Sequence, residues 1–256
     1  MLDTPLICAT MRASPQTGAQ GTPITMTSLK SFALFEPLSD EQDQRYAAMA
    51  RTSEYGENEL VLDYDDESHN VFLIKSGRVR VILRIATGRE VILGEFADLE
   101  FFGELAAIDG TTRSANVTAM VNTSVMTLPQ SVFLEILREN PEVALQLMRS
   151  MSSLIRSLNT RLAEHAFLPA KYRLYSELIR LSKPRKGPAA GQRIISPPPI
   201  QLELAERIGC RREVVSREIA RMERENIVER SRGGLILADM PELNRRLSEG
   251  WNAGSD

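Results

Sequence analysis

Apolar positions along this 256-residue chain change period twice, and the changes divide it. Residues 1–28 mix Thr, Pro, Gly and Ala with no apolar period at all. Asp3 and Pro5 stand where the apolar run of a secretory signal would begin, so the segment reads as a disordered tail, with Met11 and Met26 as alternative starts. Ser39-Asp-Glu-Gln42 then spells a capping box, which predicts a short helix over about 40–51. From there to about residue 128 short alternating runs take over: 71–85, broken by Ser76-Gly77, then 89–96 and 114–128. Strands at that spacing predict an antiparallel sandwich or roll. Within it, residues 101–108 do not alternate and read as a loop entering a helical turn.

At Asn140-Pro141 the period becomes helical, with an Asn cap and Pro at the first helical position. No breaker follows until about residue 167, which makes about 37 Å of helix. Ala144, Leu147, Met151, Leu154 and Leu158 recur at three and four, as in a coiled-coil seam. Met148, Ile155 and Leu162 recur every seven on a neighbouring face. One broad buried face would account for both stripes. A single roll can hardly cover both over that length, so the pattern favours a homodimer with Leu147, Met151, Leu154 and Leu158 at its interface. A helix over 171–182, a Pro/Gly-rich loop over 183–199, helices over 202–209 and 211–226, and a hairpin over 227–238 complete the chain. Two helices joined by a Gly-containing turn and followed by a hairpin form a winged helix-turn-helix pattern. Asp239 caps a last short helix. The division is therefore a tail (1–28), a roll (29–139), a long helix (140–167) and a winged-helix region (168–249), in the α+β class.

Composition removes chemistry rather than adding it. No stretch reaches the roughly 18 apolar residues of a membrane span, so a soluble, cytoplasmic chain is expected, with no membrane partner. Cys8 and Cys210 are too few for a disulfide framework or an iron–sulfur cluster, and His69 and His165 too few for a multi-histidine metal site or most nucleophile–histidine triads. No metal, cofactor or enzymatic activity is expected. Net charge is −3, but it is unevenly spread: residues 1–165 carry 14 basic against 22 acidic residues, −8, and residues 166–250 carry 17 against 11, +6. A basic rear half can meet phosphate, although solvated helices often look the same.

The first candidate chemistry lies in residues 102–117. Gly103 lets backbone approach a ligand, the helical turn behind it offers free N–H groups, and Arg113 lies ten residues on, where it can return over the same pocket. A guanidinium over helix N-terminal amides suits phosphate. Glu104 beside a phosphate makes sense if the ligand also presents a hydroxyl, as ribose does; a structural Glu104–Arg113 ion pair is the alternative. The run Phe-Gly-Glu-Leu-Ala (102–106) with Arg-Ser-Ala (113–115) closely resembles the phosphate-binding cassette of cyclic-nucleotide-binding domains. That resemblance implies that Glu104 binds the ribose 2′-hydroxyl, and that Arg113 and Ser114 bind the cyclic phosphate with backbone N–H groups of Leu105 and Ala106. Two positions depart from the family: Leu99 stands where G-D-x-F-G-E has its first glycine, and Thr112 where many relatives have proline.

Residues 30–240 as a whole resemble the cyclic-AMP receptor protein branch of the CRP/FNR transcription regulators, and Ile-Gly-Cys-Arg-Arg-Glu-Val-Val-Ser-Arg (208–217) resembles the family's helix-turn-helix motif. On a helix Arg212, Glu213 and Ser216 cluster, with Arg217 one turn beyond Glu213, while Val214 and Val215 turn to the core. Arg can hold guanine O6 and N7, and Glu can accept from cytosine N4. A plain i,i+4 surface pair between Glu213 and Arg217 is the competing reading. The resemblance implies Arg212, Glu213 and Arg217 as base readers, with Arg211 and Ser216 beside them, on TGTGA-like palindromic half-sites. It also implies cyclic AMP or cyclic GMP as allosteric ligand, RNA polymerase as a further partner, and base contacts from the long helix. Where relatives place Thr-Ser there, this chain has Leu158 and Asn159, with Thr160 next, so Asn159 is the expected base contact. A regulator of this fold that is constitutive or gated by another effector is the rival. Ile200, after three prolines, replaces the usual Ser or Thr cap of the first helix of the pair.

Overall fold

A computed structural model of the protein describes residues 28–84, 90–185 and 191–253, and divides at Leu154/Ile155 into two compact units. The expected tail lies outside the described residues except for Ser28, whose hydroxyl already donates to Asp43 Oδ2 at 2.8 Å.

In the first unit, 3-10 turns at Leu29–Ser31 and Ala33–Phe35 lead to α1 (Asp40–Ala47). Its capping box forms as read: Ser39 Oγ accepts from Gln42 N and Gln42 reaches back. The helix stops short of the expected residue 51, because strand β1 (Arg51–Tyr55) already starts there. The strands β2 (Leu60–Leu62), β3 (Val71–Ser76), β4 (Arg78–Arg84), β5 (Glu90–Ala97) and β6 (Phe101–Phe102) follow. After them come α2 (Glu104–Asp109), β7 (Asn116–Ala119), β8 (Thr123–Leu128) and α3 (Gln130–Glu139). The strands form two antiparallel four-stranded sheets, β1-β8-β3-β6 and β2-β7-β4-β5.

Strand β3 explains why the roll holds. Successive side chains point to opposite faces of a sheet. Phe72 and Ile74 enter the core between the sheets, with Leu62, Val79, Phe102, Val117 and Val125. Val71 and Leu73 face the other way, into a helical layer with Phe32, Tyr46, Met126, Phe133 and Val143. Both faces are buried, so this stretch is continuously apolar instead of alternating.

The long helix α4 (Pro141–Phe167) runs across the division between units. Asn140 was expected as its cap; its carbonyl accepts from Ala144 N at 3.2 Å, but its side-chain amide donates back to Ile136 O at 3.1 Å and closes α3. The expected seam also needs correction. Leu147 is buried in its own helical layer, so it is not free for a partner, and Met151 is half-buried against that layer. The first stripe turns inward early in the helix because the roll lies there. Exposed are Met148 and Leu154 in the first unit, and Ile155, Leu158 and Leu162 in the second.

In the second unit, α5 (Ala170–Leu181), α6 (Gln201–Ile208), α7 (Arg212–Arg224) and α8 (Met240–Ala253) surround a core of Leu174, Tyr175, Leu178, Val215, Ile219, Met222 and their neighbours. Asp239 Oδ1 accepts from Glu242 N at 2.9 Å and caps α8, which runs longer than the sequence suggested. The expected loop 183–199 contains two short strands, at Lys183–Pro184 and Arg193–Ile195, which join those at Val228–Ser231 and Gly234–Leu237. Numbered β9 to β12, they build a sheet of order β11-β12-β10-β9, so the wing is wider than a hairpin. Among the described residues, no helix is long and apolar enough to cross a membrane.

Helix α6 starts at an N-cap, Ile200, that makes no side-chain cap bond. Ile200 is 63% exposed, so its side chain contributes little packing. Ile200→Thr is expected to gain about 1 kcal/mol and raise the calorimetric midpoint of this unit by about 4–8 °C. An unchanged midpoint would mean that the three preceding prolines already fix the helix start.

Candidate functional site

The phosphate cassette assembles around Gly103. This residue has φ +86°, and a Cβ there would meet Arg113 Nη1 at 2.9 Å, Asn70 O at 3.1 Å and a Phe72 ring carbon at 3.2 Å. Only glycine satisfies both the backbone conformation and the space. It is the N-cap of α2, whose first backbone N–H groups, including those of Leu105 and Ala106, have no partner within the helix. Leu99, at the family's first-glycine position, takes φ +66°, so the turn keeps glycine-like backbone despite a bulky side chain. Left-handed backbone costs a non-glycine residue roughly 1–2 kcal/mol.

Arg113 is 3% exposed, with its guanidinium carbon 5.5 Å from the Phe72 ring centre. Its backbone is fixed on both sides: its N–H donates to Asp66 O and its carbonyl accepts from Asp65 N, each at 3.0 Å. Nη1 donates to Gly103 O at 2.9 Å, and Nη2 to Asn70 O at 2.8 Å. Nε and Nη2 both reach Ser68 Oγ at 3.1 Å. Four of five guanidinium N–H groups are thus engaged, and one on Nη1 remains. The Nε–Nη2 edge is the one that grips anions in a bidentate manner; here it holds a neutral hydroxyl, which a phosphate oxygen can displace without breaking an ion pair.

Glu104 lies partly buried at the start of α2. Burial pushes its carboxyl above the ordinary carboxylate range, while its own backbone N–H and Arg113 pull the other way. Among the described residues no ion pair within 4 Å joins Glu104 to Arg113, although each charge acts on the other. Ser114 is exposed beside Arg113. Gly103, Glu104, Leu105, Ala106, Arg113 and Ser114 are therefore brought together. The glycine-lined approach, spare guanidinium donor, helix N–H groups and carboxylate suit an anion carrying a hydroxyl. Ser68 and Asn70, the two holders of Arg113 that sequence reasoning missed, lie more than forty residues upstream with no motif to mark them. Asn159 and Thr160 lie in the second unit; Asn159 is exposed, and the Thr160 hydroxyl donates to Arg156 O at 3.0 Å within its own helix.

The second cluster sits on α7. Val215 is buried, but Val214 is only half-buried, so one valine and not two anchors the start of the helix. Arg211, Arg212, Glu213 and Arg217 are exposed and Ser216 is half-buried. Among the described residues, none of those four charged side chains has a hydrogen bond or ion pair, so the competing Glu213–Arg217 surface pair is absent there. Other arginines of this unit are engaged: Arg221 with Glu225, Arg230 with Glu223, Arg245 and Arg246 with Glu242. Arg232 is a further exposed cation, at the tip between β11 and β12; its only sequence signal is a lone Arg before Gly233-Gly234.

Residues 52–140 match the family model of the cyclic nucleotide-binding domain, and residues 172–246 that of the Crp-like helix-turn-helix domain. The chain belongs to the CRP/FNR superfamily of transcription regulators. It is a DNA-binding regulator and not an enzyme. Among curated relatives, the cyclic AMP receptor protein of Thermus thermophilus is 26% identical over 200 residues, 78% of this chain and 89% of that one. In fold it is similar to a CooA mutant from Carboxydothermus hydrogenoformans (TM-score 0.69, 22% identity, 82% of this chain and 91% of that chain). It is also similar to the regulator CLP of Xanthomonas campestris, described as c-di-GMP responsive (TM-score 0.62, 20% identity, 79% of this chain and 100% of that one). This CRP/FNR member thus pairs a roll and a winged helix-turn-helix of the family type.

Proposed function

We propose that the chain is a homodimeric, cyclic-nucleotide-gated DNA-binding regulator that reads TGTGA-type palindromic half-sites. The observation that carries this is the buried Arg113 guanidinium, held at Gly103 O with one N–H to spare beside the free turn of α2. Glu104, at the start of α2, is placed to accept from a ribose 2′-hydroxyl. The exposed Met148, Leu154, Ile155, Leu158 and Leu162 supply apolar surface for a second copy. Arg212, Glu213 and Arg217 read bases from each α7. Shifting such a dimer from 1:99 to 99:1 active takes about 5.5 kcal/mol of differential binding, within reach of one or two charge-assisted bonds per subunit.

The test is calorimetric titration of the protein with cyclic AMP and cyclic GMP, followed by anisotropy on a TGTGA palindrome with and without each nucleotide. Saturable binding of one of them and DNA affinity raised by about tenfold or more are expected. One observation favours a second reading, a regulator gated by another effector or by none: Ser68 Oγ closes the anion-gripping edge of Arg113. DNA affinity unaltered by either nucleotide would select it, and titration with c-di-GMP, the effector named for CLP, is its next step.

A further inference from the structure

Three helices of the second unit meet around buried charge. Arg180 of α5 directs Nη2 to both carboxylate oxygens of Glu164 on α4, at 2.8 and 2.9 Å, and Nη1 to Glu177. Arg207 of α6 places Nη1 3.7 Å from the other oxygen of Glu177. Glu164, Glu177 and Arg207 are only 6%, 1% and 8% exposed. Arg161, one turn before Glu164, belongs to the same field: burial pulls its pKa down, and Glu177 pulls it up. Three guanidinium groups thus share two carboxylates out of water, where losing one partner leaves a charge unpaired.

A second link runs alongside. Arg173 Nε donates to Ile208 O, the last residue of α6, and Nη1 to Leu168 O, just past the end of α4, both at 3.0 Å. One guanidinium therefore satisfies carbonyls at the C-terminal ends of two helices. Gly209, the left-handed cap of α6 at φ +65°, lies so close to His165 of α4 that a Cβ would meet its Cε1 at 3.1 Å. Bending between Phe167 and Ala170 would have to break these bonds and expose the carboxylates.

We propose that Glu164, Glu177, Arg180 and Arg207, with Arg173, are positioning residues that clamp the helix-turn-helix onto the last turns of α4. Those turns and the reading helix then move as one body, and the clamp sets the orientation of each head toward its half-site. Orientation matters because of the homodimeric, palindrome-reading function proposed above, on which this inference rests. A clamp that merely stabilised the fold would affect one half-site as much as two.

Glu164→Gln keeps the size and one acceptor and removes the charge. With the whole chain, anisotropy is measured on a palindromic duplex and on one with a single half-site, and amide hydrogen exchange is followed over residues 160–175. Palindrome affinity is expected to fall about tenfold or more, with half-site affinity changed by less than about twofold. Exchange over 164–170 speeds up while α7 keeps its rate. Equal losses on both duplexes, or unchanged exchange over 164–170, would overturn the clamp. If Glu164→Gln does not fold, Arg173→Met, which retains the apolar stem and neither bond, goes through the same measurements. A wild-type chain with no preference for the palindrome would bring down the homodimeric reading instead, and the exchange arm, which involves no DNA, still decides the clamp.

Discussion

Arg113→Lys is expected to weaken cyclic-nucleotide binding by about 100-fold or more. The guanidinium spans three acceptors on different sides, Gly103 O, Asn70 O and Ser68 Oγ, and keeps one N–H for a ligand. An ammonium is a compact point charge and cannot fill that fork. With phosphate displacing Ser68 Oγ from the Nε–Nη2 edge, two charge-assisted bonds, each worth about 1.5–3 kcal/mol, are lost on substitution, and 1.4 kcal/mol is a factor of ten. The fold pays less, because the charge is retained and the Arg113 backbone is held independently by Asp65 and Asp66. A thermal midpoint lowered by only a few degrees beside abolished calorimetric binding is the expected pair of results. Binding within about threefold of wild type would show that the phosphate does not sit at this guanidinium.

Legibility of the fold followed the distance over which each signal acts. Ser39–Gln42, the Asp239 cap and the Gly209 turn are local and were visible in a few residues. The cassette was visible because Phe102–Ala106 and Arg113–Ala115 lie close together in the chain and resemble a known motif. Its holders were not: Ser68 and Asn70 come from the segment before β3, and nothing periodic ties them to Arg113. The α4 seam misled for a different reason. A heptad repeat fixes which residues share a face, but burial by the roll decides which part of that face is left, and Leu147 falls under it. The buried charges were hidden altogether, since Glu164, Glu177 and Arg207 look in sequence like solvated helix positions. The strand Arg193–Ile195, inside a Pro-rich stretch, exists because it pairs with Gly234–Leu237, a partner some forty residues away.

Arg212→Ala and Glu213→Ala are expected to leave the thermal midpoint within about 1 °C of wild type, because both side chains are exposed and make no bond within the described protein. Their cost falls on DNA. A base contact carries about 1–3 kcal/mol of discrimination, and two symmetric heads double it to about 2–6 kcal/mol on a palindrome. Competition against duplexes changed at one symmetric base pair at a time separates the possible roles. If Glu213 accepts from a cytosine, Glu213→Ala flattens preference at that one position and leaves the others intact. If Arg212 holds a guanine, Arg212→Ala does the same at its own position while the salt dependence stays close to wild type. A phosphate contact behaves differently: affinity drops equally on every duplex, and the slope of log affinity against log salt shrinks by about one for each contact removed. Arg232 at the wing tip is expected to follow that second pattern. Base preference unchanged in both α7 variants would remove this helix from sequence readout.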